Sequence, residues 1–162
     1  MQRKIFCLKK VSFIVIISFV LQACGTNGVF EKTDVLPGQE WRSAKKISTV
    51  FGIQDTSAYY NLYVIFTHTD AYHYNNIYLN ITTIAPGDTA VTVQKQLQLA
   101  KNNYGWLGTA MDDIIEHRVL LNEKGPVKLK KGNYTFTLQQ AMREDPLTGV
   151  INAGIRAEKV IQ

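Results

Sequence analysis

The sequence predicts an all-β domain, an antiparallel β-sandwich or jelly roll of seven to eight strands. Three observations point there: short runs of strict apolar/polar alternation, turn-forming residues between them at roughly regular spacing, and no long run with a 3.6-residue period. No β-α-β alternation appears, which argues against a doubly wound fold. No internal repeat or low-complexity tract is present. Of the 162 residues, 46% are hydrophobic and 19% charged, a composition able to bury a core.

The elements follow in chain order. A first strand is expected over Ile47 to Ile53. Tyr60, Leu62, Val64 and Phe66 then share one strand face, with Tyr59, Asn61 and Tyr63 opposite. His68-Thr-Asp-Ala-Tyr-His73 reads as a polar loop, after which Ile77, Leu79, Ile81 and Thr83 repeat the period. Pro86-Gly87-Asp88 is turn chemistry, with Pro pre-setting φ and Gly free to take positive φ. Val91, Val93, Leu97 and Leu99 alternate; Val93, Leu97 and Ala100 also suit a short helix, but the β-rich Thr89 to Val93 lead-in selects a strand. His117, Val119 and Leu121 form a short run, Lys131-Gly-Asn133 turns the chain, and Tyr134, Phe136, Leu138 and Gln140 alternate again. A loop over Glu144 to Gly149 precedes Val150 to Ile161, where Ile151, Ala153, Ile155, Ala157 and Lys159 share a face.

The N-terminus is organised differently. Arg3, Lys4, Lys9 and Lys10 precede an apolar run of eleven residues, Val11 to Leu21. That is short of the roughly 20 residues a membrane-spanning helix needs, and it has the length of a signal-peptide h-region. Leu21-Gln-Ala-Cys24 then resembles the lipobox of bacterial lipoproteins. The resemblance implies cleavage before Cys24, diacylglyceryl attachment to its thiol, and acylation of the new amine by a palmitate-type chain. Two or three acyl chains hold a protein stably where one holds it marginally. The expected organisation is a signal peptide over 1–23, a lipidated tether over 24–38 and a β-sandwich domain over 39–162.

Removing residues 1–23 changes the charge balance. The chain carries 18 Lys+Arg against 13 Asp+Glu, a formal net charge of +5, and four of those positive charges leave with the signal. The near-neutral remainder does not favour a nucleic-acid surface. Cys7 leaves as well and Cys24 is consumed by the anchor, so the domain has no disulfide, thiolate metal site or cysteine nucleophile.

The domain offers few residues arranged for chemistry. Ser43, Ser48 and Ser57 are its only serines, none in a G-x-S-x-G elbow. His68, Asp70 and His73 cluster, but without H-x-x-x-H or H-E-x-x-H spacing they read as solvated loop residues and no metal is expected. Asp112 and Asp113 diverge on any backbone, which suits turn duty better than the facing carboxyls of glycoside hydrolysis. Lys128, Lys130 and Lys131 read as a solvated hairpin. No catalytic residue and no cofactor is expected. Six tyrosines in twenty residues, Tyr59 to Tyr78, are the real excess. Tyr59, Tyr63, Tyr72, Tyr74, Tyr78 and Trp106 are the candidate partner-binding surface, because exposed aromatics bury large area at low rotamer cost.

Three stretches carry a resemblance. They are Tyr60-Asn-Leu62 with Tyr74 to Leu79; Gly105-Trp-Leu-Gly108 with Asp113-Ile114; and Gln140-Ala-Met-Arg143 with Leu147 to Val150 and Gly154 to Lys159. Behind a lipobox and in this order, they resemble the gliding-motility lipoprotein GldH family of the Bacteroidetes, with Ala157 where a larger aliphatic residue is expected. The resemblance implies a membrane-tethered, non-enzymatic accessory of the gliding and type IX secretion apparatus, partnered by other envelope proteins. By analogy, the neutral segment after Cys24 favours a periplasm-facing domain. Asp88-Thr89-Ala90 resembles the pattern on which exported Bacteroidetes proteins are O-glycosylated, making Thr89 a candidate site. The alternative reading is a carbohydrate-binding or carbohydrate-processing envelope lipoprotein, since sandwiches host such sites readily.

Overall fold

A computed structural model describes residues 28–160. The strands are β1 (Val29–Val35), β2 (Glu40–Trp41), β3 (Ile47–Ile53), β4 (Tyr59–Thr69), β5 (Asn76–Ile84), β6 (Val91–Gln98), β7 (Ala100–Lys101), β8 (Gly105–Trp106), β9 (Thr109–Met111), β10 (Ile114–Leu120), β11 (Val127–Lys128), β12 (Gly132–Gln140), β13 (Leu147–Thr148) and β14 (Val150–Val160). A 3-10 turn, Pro37–Gln39, follows β1.

The strands form two main antiparallel sheets. One has the order β1-β14-β4-β10-β9 with β11 added to β4; the other has the order β3-β12-β5-β6. Two small ribbons, β2 with β13 and β7 with β8, sit outside these sheets. The inward face of the four-stranded sheet carries Ile47, Phe51, Ile53, Tyr134, Phe136, Leu138, Ile77, Leu79 and Ile81, all buried. Opposite lie Tyr60, Val64, Phe66, Ile115, Ala153, Ile155 and Ala157. Each fully buried aliphatic or aromatic side chain contributes about 1.5–3 kcal/mol of transfer free energy, so the alternation that predicted the strands is also what holds the layers together.

Three expectations need correction. The stretch 24–38 is not all tether, because Val29–Val35 pairs with β14 along its length. Its edge position explains the omission: Glu31, Lys32, Thr33 and Asp34 break any apolar period, and Phe30 alone reaches inward to stack on Phe51 at 5.0 Å. Phe30 lies opposite Ala157, so the small residue there leaves room for the aromatic. The Glu144 to Gly149 loop contains β13, paired with β2 through Leu147 and Trp41, both fully buried. His68, read as a loop residue, belongs to β4 and is fully buried.

The two ends of the sandwich differ. At the near end lies Gly28, the first described residue, whose carbonyl accepts from Lys159 N at 2.9 Å. Lysines meet acids there and at the adjoining edge: Lys159 with Asp55 at 2.6 Å, Lys130 with Asp88 at 2.8 Å, Lys95 with Glu123 at 3.1 Å. At the far end the β4–β5, β7–β8 and β12–β13 connections gather the aromatics.

Candidate binding surface

The far end is built around a buried histidine pair. His68 on β4 and His117 on β10 face inward, and their Nε2 atoms lie 2.9 Å apart. The Thr69 carbonyl sits 2.6 Å from His68 Nδ1 and can only accept, so Nδ1 carries the hydrogen and His68 Nε2 is left as an acceptor. His117 therefore donates from Nε2. Both rings are neutral in this arrangement. Burial, with the neighbouring His68 adding to it, pushes His117 down to about 4; burial also lowers His68, partly offset by the Thr69 carbonyl.

Aromatic rings close over the pair. Trp106 meets His68 edge-on at 4.4 Å, Tyr72 lies 4.8 Å from His68, and Tyr74 meets Tyr72 edge-on at 5.8 Å. Gly105 takes φ 72° to turn the chain into Trp106. Gly108 is required by close approach: a Cβ there would stand 2.4 Å from the Glu116 carbonyl oxygen and 2.9 Å from His117 Nδ1.

Outside this box, the β12–β13 connection is tied down by polar contacts. Tyr74 Oη donates to Glu144 at 2.8 Å, and the other carboxylate oxygen of Glu144 accepts from Thr148 Oγ1, also at 2.8 Å. The Tyr74 hydroxyl, then Thr148, hold the Glu144 carboxyl below its ordinary value, and the carboxylate in turn raises Tyr74. Gln140, buried, donates to the carbonyls of Trp41 and Glu144 and accepts from Met142 N. Tyr78 N points to Met142 Sδ at 3.3 Å. Between these groups runs a shallow groove of about 510 Å³, lined by Tyr74, Asn76, Tyr78, Gln94, Met142 and Arg143. Among the described residues Arg143 has no ion-pair partner.

The six candidate aromatics are not one surface. Tyr74 and Tyr78 line the groove; Trp106, half-buried, belongs to the histidine box. Tyr72 is only 2% exposed and donates its hydroxyl to the Asn76 carbonyl, so it is a core residue and not a contact residue. Burial raises its hydroxyl above the ordinary tyrosine value. Tyr59 and Tyr63 lie on the outer face of the other sheet, Tyr59 under the Lys128 ammonium at 5.2 Å. His73 and Asp70 are exposed, apart from buried His68. Thr89 is exposed in the β5–β6 turn, next to Asp88, which is held by Lys130. Cys24 and residues 1–23 lie outside the described residues. Arg156 pairs with Glu158 on its own strand and with Glu31 on β1 at 2.6 Å.

Sequence reading missed the His68–His117 contact, because 49 residues separate the two rings and only strand register brings them level. It also missed Asn76, Gln94, Met142 and Arg143 as groove residues. The Ala141-Met-Arg143 stretch was the available signal.

Comparison with known proteins agrees with the family resemblance. The "Gliding motility lipoprotein GldH homolog" of Christiangramia forsetii is 25% identical over 156 residues, covering 91% of this chain and 94% of that protein. The "Gliding motility lipoprotein GldH" of Flavobacterium johnsoniae is 24% identical over 159 residues, covering 94% and 98%. Among solved structures, a β-porphyranase of glycoside hydrolase family 86 from Bacteroides plebeius matches with a TM-score of 0.36 and 14% identity, over 85% of this chain and 22% of that one. The family model described as GldH lipoprotein matches residues 28–157, nearly all of the described domain. This chain belongs to the GldH lipoprotein family, a family of envelope lipoproteins whose curated relatives carry the name of gliding motility.

Proposed function

We propose that this protein is a non-enzymatic interaction subunit of the gliding-motility and type IX secretion apparatus, anchored through acylated Cys24 with its domain facing the periplasm. The observation that carries this reading is the polarity of the sandwich. The described chain starts at Gly28 on the near end, and four residues from Cys24 reach at most about 14 Å even when extended. The anchor therefore keeps the near end at the membrane and turns the groove with Tyr74, Tyr78, Met142 and Arg143 away from it. Tyrosine, methionine and an unpaired arginine are the residue types that concentrate binding energy at protein interfaces. No catalytic role is assigned to the histidine pair, since the two Nε2 atoms are engaged with each other and His68 Nδ1 with a backbone carbonyl, under a roof of aromatic rings.

Two experiments test the reading. Cys24→Ser should release the protein from the membrane fraction or leave it mislocalised, and unchanged retention would refute the anchor. Tagged full-length protein extracted in mild detergent should bring down a defined set of envelope proteins; recovery of none would refute the interaction role. The intact mass of the native protein decides whether Thr89 carries a glycan.

A carbohydrate-binding reading is supported by one observation. The outward face of β3, β12, β5 and β6 is polar but carries no charged side chain: Thr82 meets Thr92 at 2.8 Å, Gln94 meets Asn80 at 3.3 Å and Ser48 meets Thr137 at 3.2 Å. Amides and hydroxyls beside exposed Tyr78 suit neutral sugars. Affinity electrophoresis in gels containing a neutral glucan would show retardation if this reading holds and none if it does not.

A further inference from the structure

The two long sides of the sandwich are closed differently. On the β3 side the inward residues Ile47, Thr49, Phe51 and Ile53 are 1–4% exposed. On the β6 side, Val91 and Val93 point inward opposite Thr83 and Ile81, yet they are 58% and 50% exposed. Between them and Leu62, Leu121, Val127 and Leu129 lies an open, mainly apolar cleft of about 290 Å³. The backbone alongside it is also unfinished. Leu99 N donates to the Asn75 carbonyl and Ala141 N to the Tyr78 carbonyl. Antiparallel alternation then directs the N–H groups of Val91, Val93, Lys95 and Leu97 to β5 and turns those of Thr92, Gln94 and Gln96 outward. No described strand lies beyond them.

We propose that β6 is a docking edge for an extended, largely uncharged segment of a partner protein, added as a further strand whose alternate apolar side chains fill the cleft. One occupant satisfies both defects, since backbone pairing engages the outward N–H groups while every second side chain enters the apolar space. An acyl chain would fill the cleft and leave the N–H groups unpaired. A second copy of this chain is disfavoured by charge: in the antiparallel registers that overlap most of β6, the two Lys95 residues stand opposite or diagonal to each other on the inner face. Lys95 already reaches Glu123 at 3.1 Å and the Leu121 carbonyl at 3.4 Å, so it selects a partner with an acidic or amide residue at its level. The groove described above ends on Gln94 of this strand, which makes the two surfaces continuous. The identity of the partner rests on the interaction reading; the strand-accepting edge does not.

The test uses full-length protein in detergent and a soluble acetylated peptide of about ten residues, alternating Val and Thr with one Asp placed to face Lys95, against a scrambled peptide of the same composition. Saturating peptide should slow amide exchange at Thr92, Gln94 and Gln96 by about tenfold or more and leave Ser48, Val50 and Gly52 on β3 unchanged. Val93→Lys places a charge in the cleft at an exposed position, and Gln94→Pro removes one outward N–H without touching the β5 ladder. Each should weaken peptide binding about tenfold or more while the thermal transition stays near that of the parent. Equal protection by the scrambled peptide, protection on β3, or full binding by both variants would overturn the proposal. So would protection of β6 that grows with protein concentration in the absence of peptide, which would assign the edge to a second copy. Peptide binding with no co-purifying envelope protein would count against the proposed function alone; co-purification with no peptide binding would count against this inference alone.

Discussion

The buried histidine pair makes a quantitative prediction about acid. In the unfolded chain His117 titrates near 6.5, whereas in the fold it is pushed down to about 4. Below pH 6.5 the unfolded chain therefore binds more protons than the native one, and stability falls as pH falls. The linkage relation with these two values gives a loss of about 2 kcal/mol at pH 5 and about 3 kcal/mol at pH 4 relative to pH 7. His68, lowered in the same direction, adds to the loss. Carboxylates stabilised in the fold, Asp55, Glu144 and Asp145, lose their contribution below their ordinary values of 3.8 to 4.5, so the interval between pH 7 and pH 5 isolates the histidines. Urea unfolding of full-length protein in detergent at pH 7 and pH 5 is the assay. The variant is His117→Gln, whose amide N–H can still donate to His68 Nε2 but cannot titrate. Wild type should lose at least about 2 kcal/mol between the two pH values, and the variant clearly less than its parent. An equal loss in both proteins would refute the assignment of acid sensitivity to this pair.

Other perturbations follow from contacts already described. Gly108→Ala drives a Cβ into the Glu116 backbone and should cost about 2 kcal/mol or more, read from the denaturation midpoint. Gly154→Ala places a Cβ 2.1 Å from the Lys32 carbonyl oxygen; it should detach β1, seen as faster amide exchange over Val29–Val35 with little change in β4. Tyr74→Phe leaves Glu144 without the donor at 2.8 Å, and the Glu144 carboxyl should titrate higher by carbon-detected NMR. If that carboxyl did not move, its low value would owe nothing to Tyr74.

Much of the fold was legible because one physical signal, period-two alternation, both forms the strands and buries their inner faces. Ile77 to Ile81 and Tyr134 to Gln140 alternate in sequence and in burial alike, whereas Ile47 to Ile53 alternates in burial with Thr49 inward and Val50 outward. The signal fails where a strand's inner face meets something other than an apolar layer. Strand β1 is an edge with mostly polar residues, so it passed for tether. Val91 and Val93 alternate as core residues should, yet they face an unclosed side and are exposed. His68 has a loop residue's chemistry, but His117 and the Thr69 carbonyl satisfy its nitrogens and allow its burial. Tyr72 and Tyr78 look alike in sequence; only the return of the chain over Tyr72 separates core from surface. The candidate groove is assembled from β5, β6 and the β12–β13 connection, a juxtaposition set by strand order, which no local pattern encodes.

The central claim, that the far end of an anchored sandwich engages an envelope partner, meets its most direct test in co-purification. Tagged full-length wild type and a Tyr78→Ala, Arg143→Ala double variant are extracted from native membranes in the same mild detergent, and the accompanying proteins are quantified by mass spectrometry. The account predicts at least one envelope protein in near-stoichiometric amount with wild type, reduced about tenfold or more with the variant, whose pH 7 unfolding midpoint stays close to wild type. The same protein recovered equally with both chains, or no envelope protein with either, would contradict it.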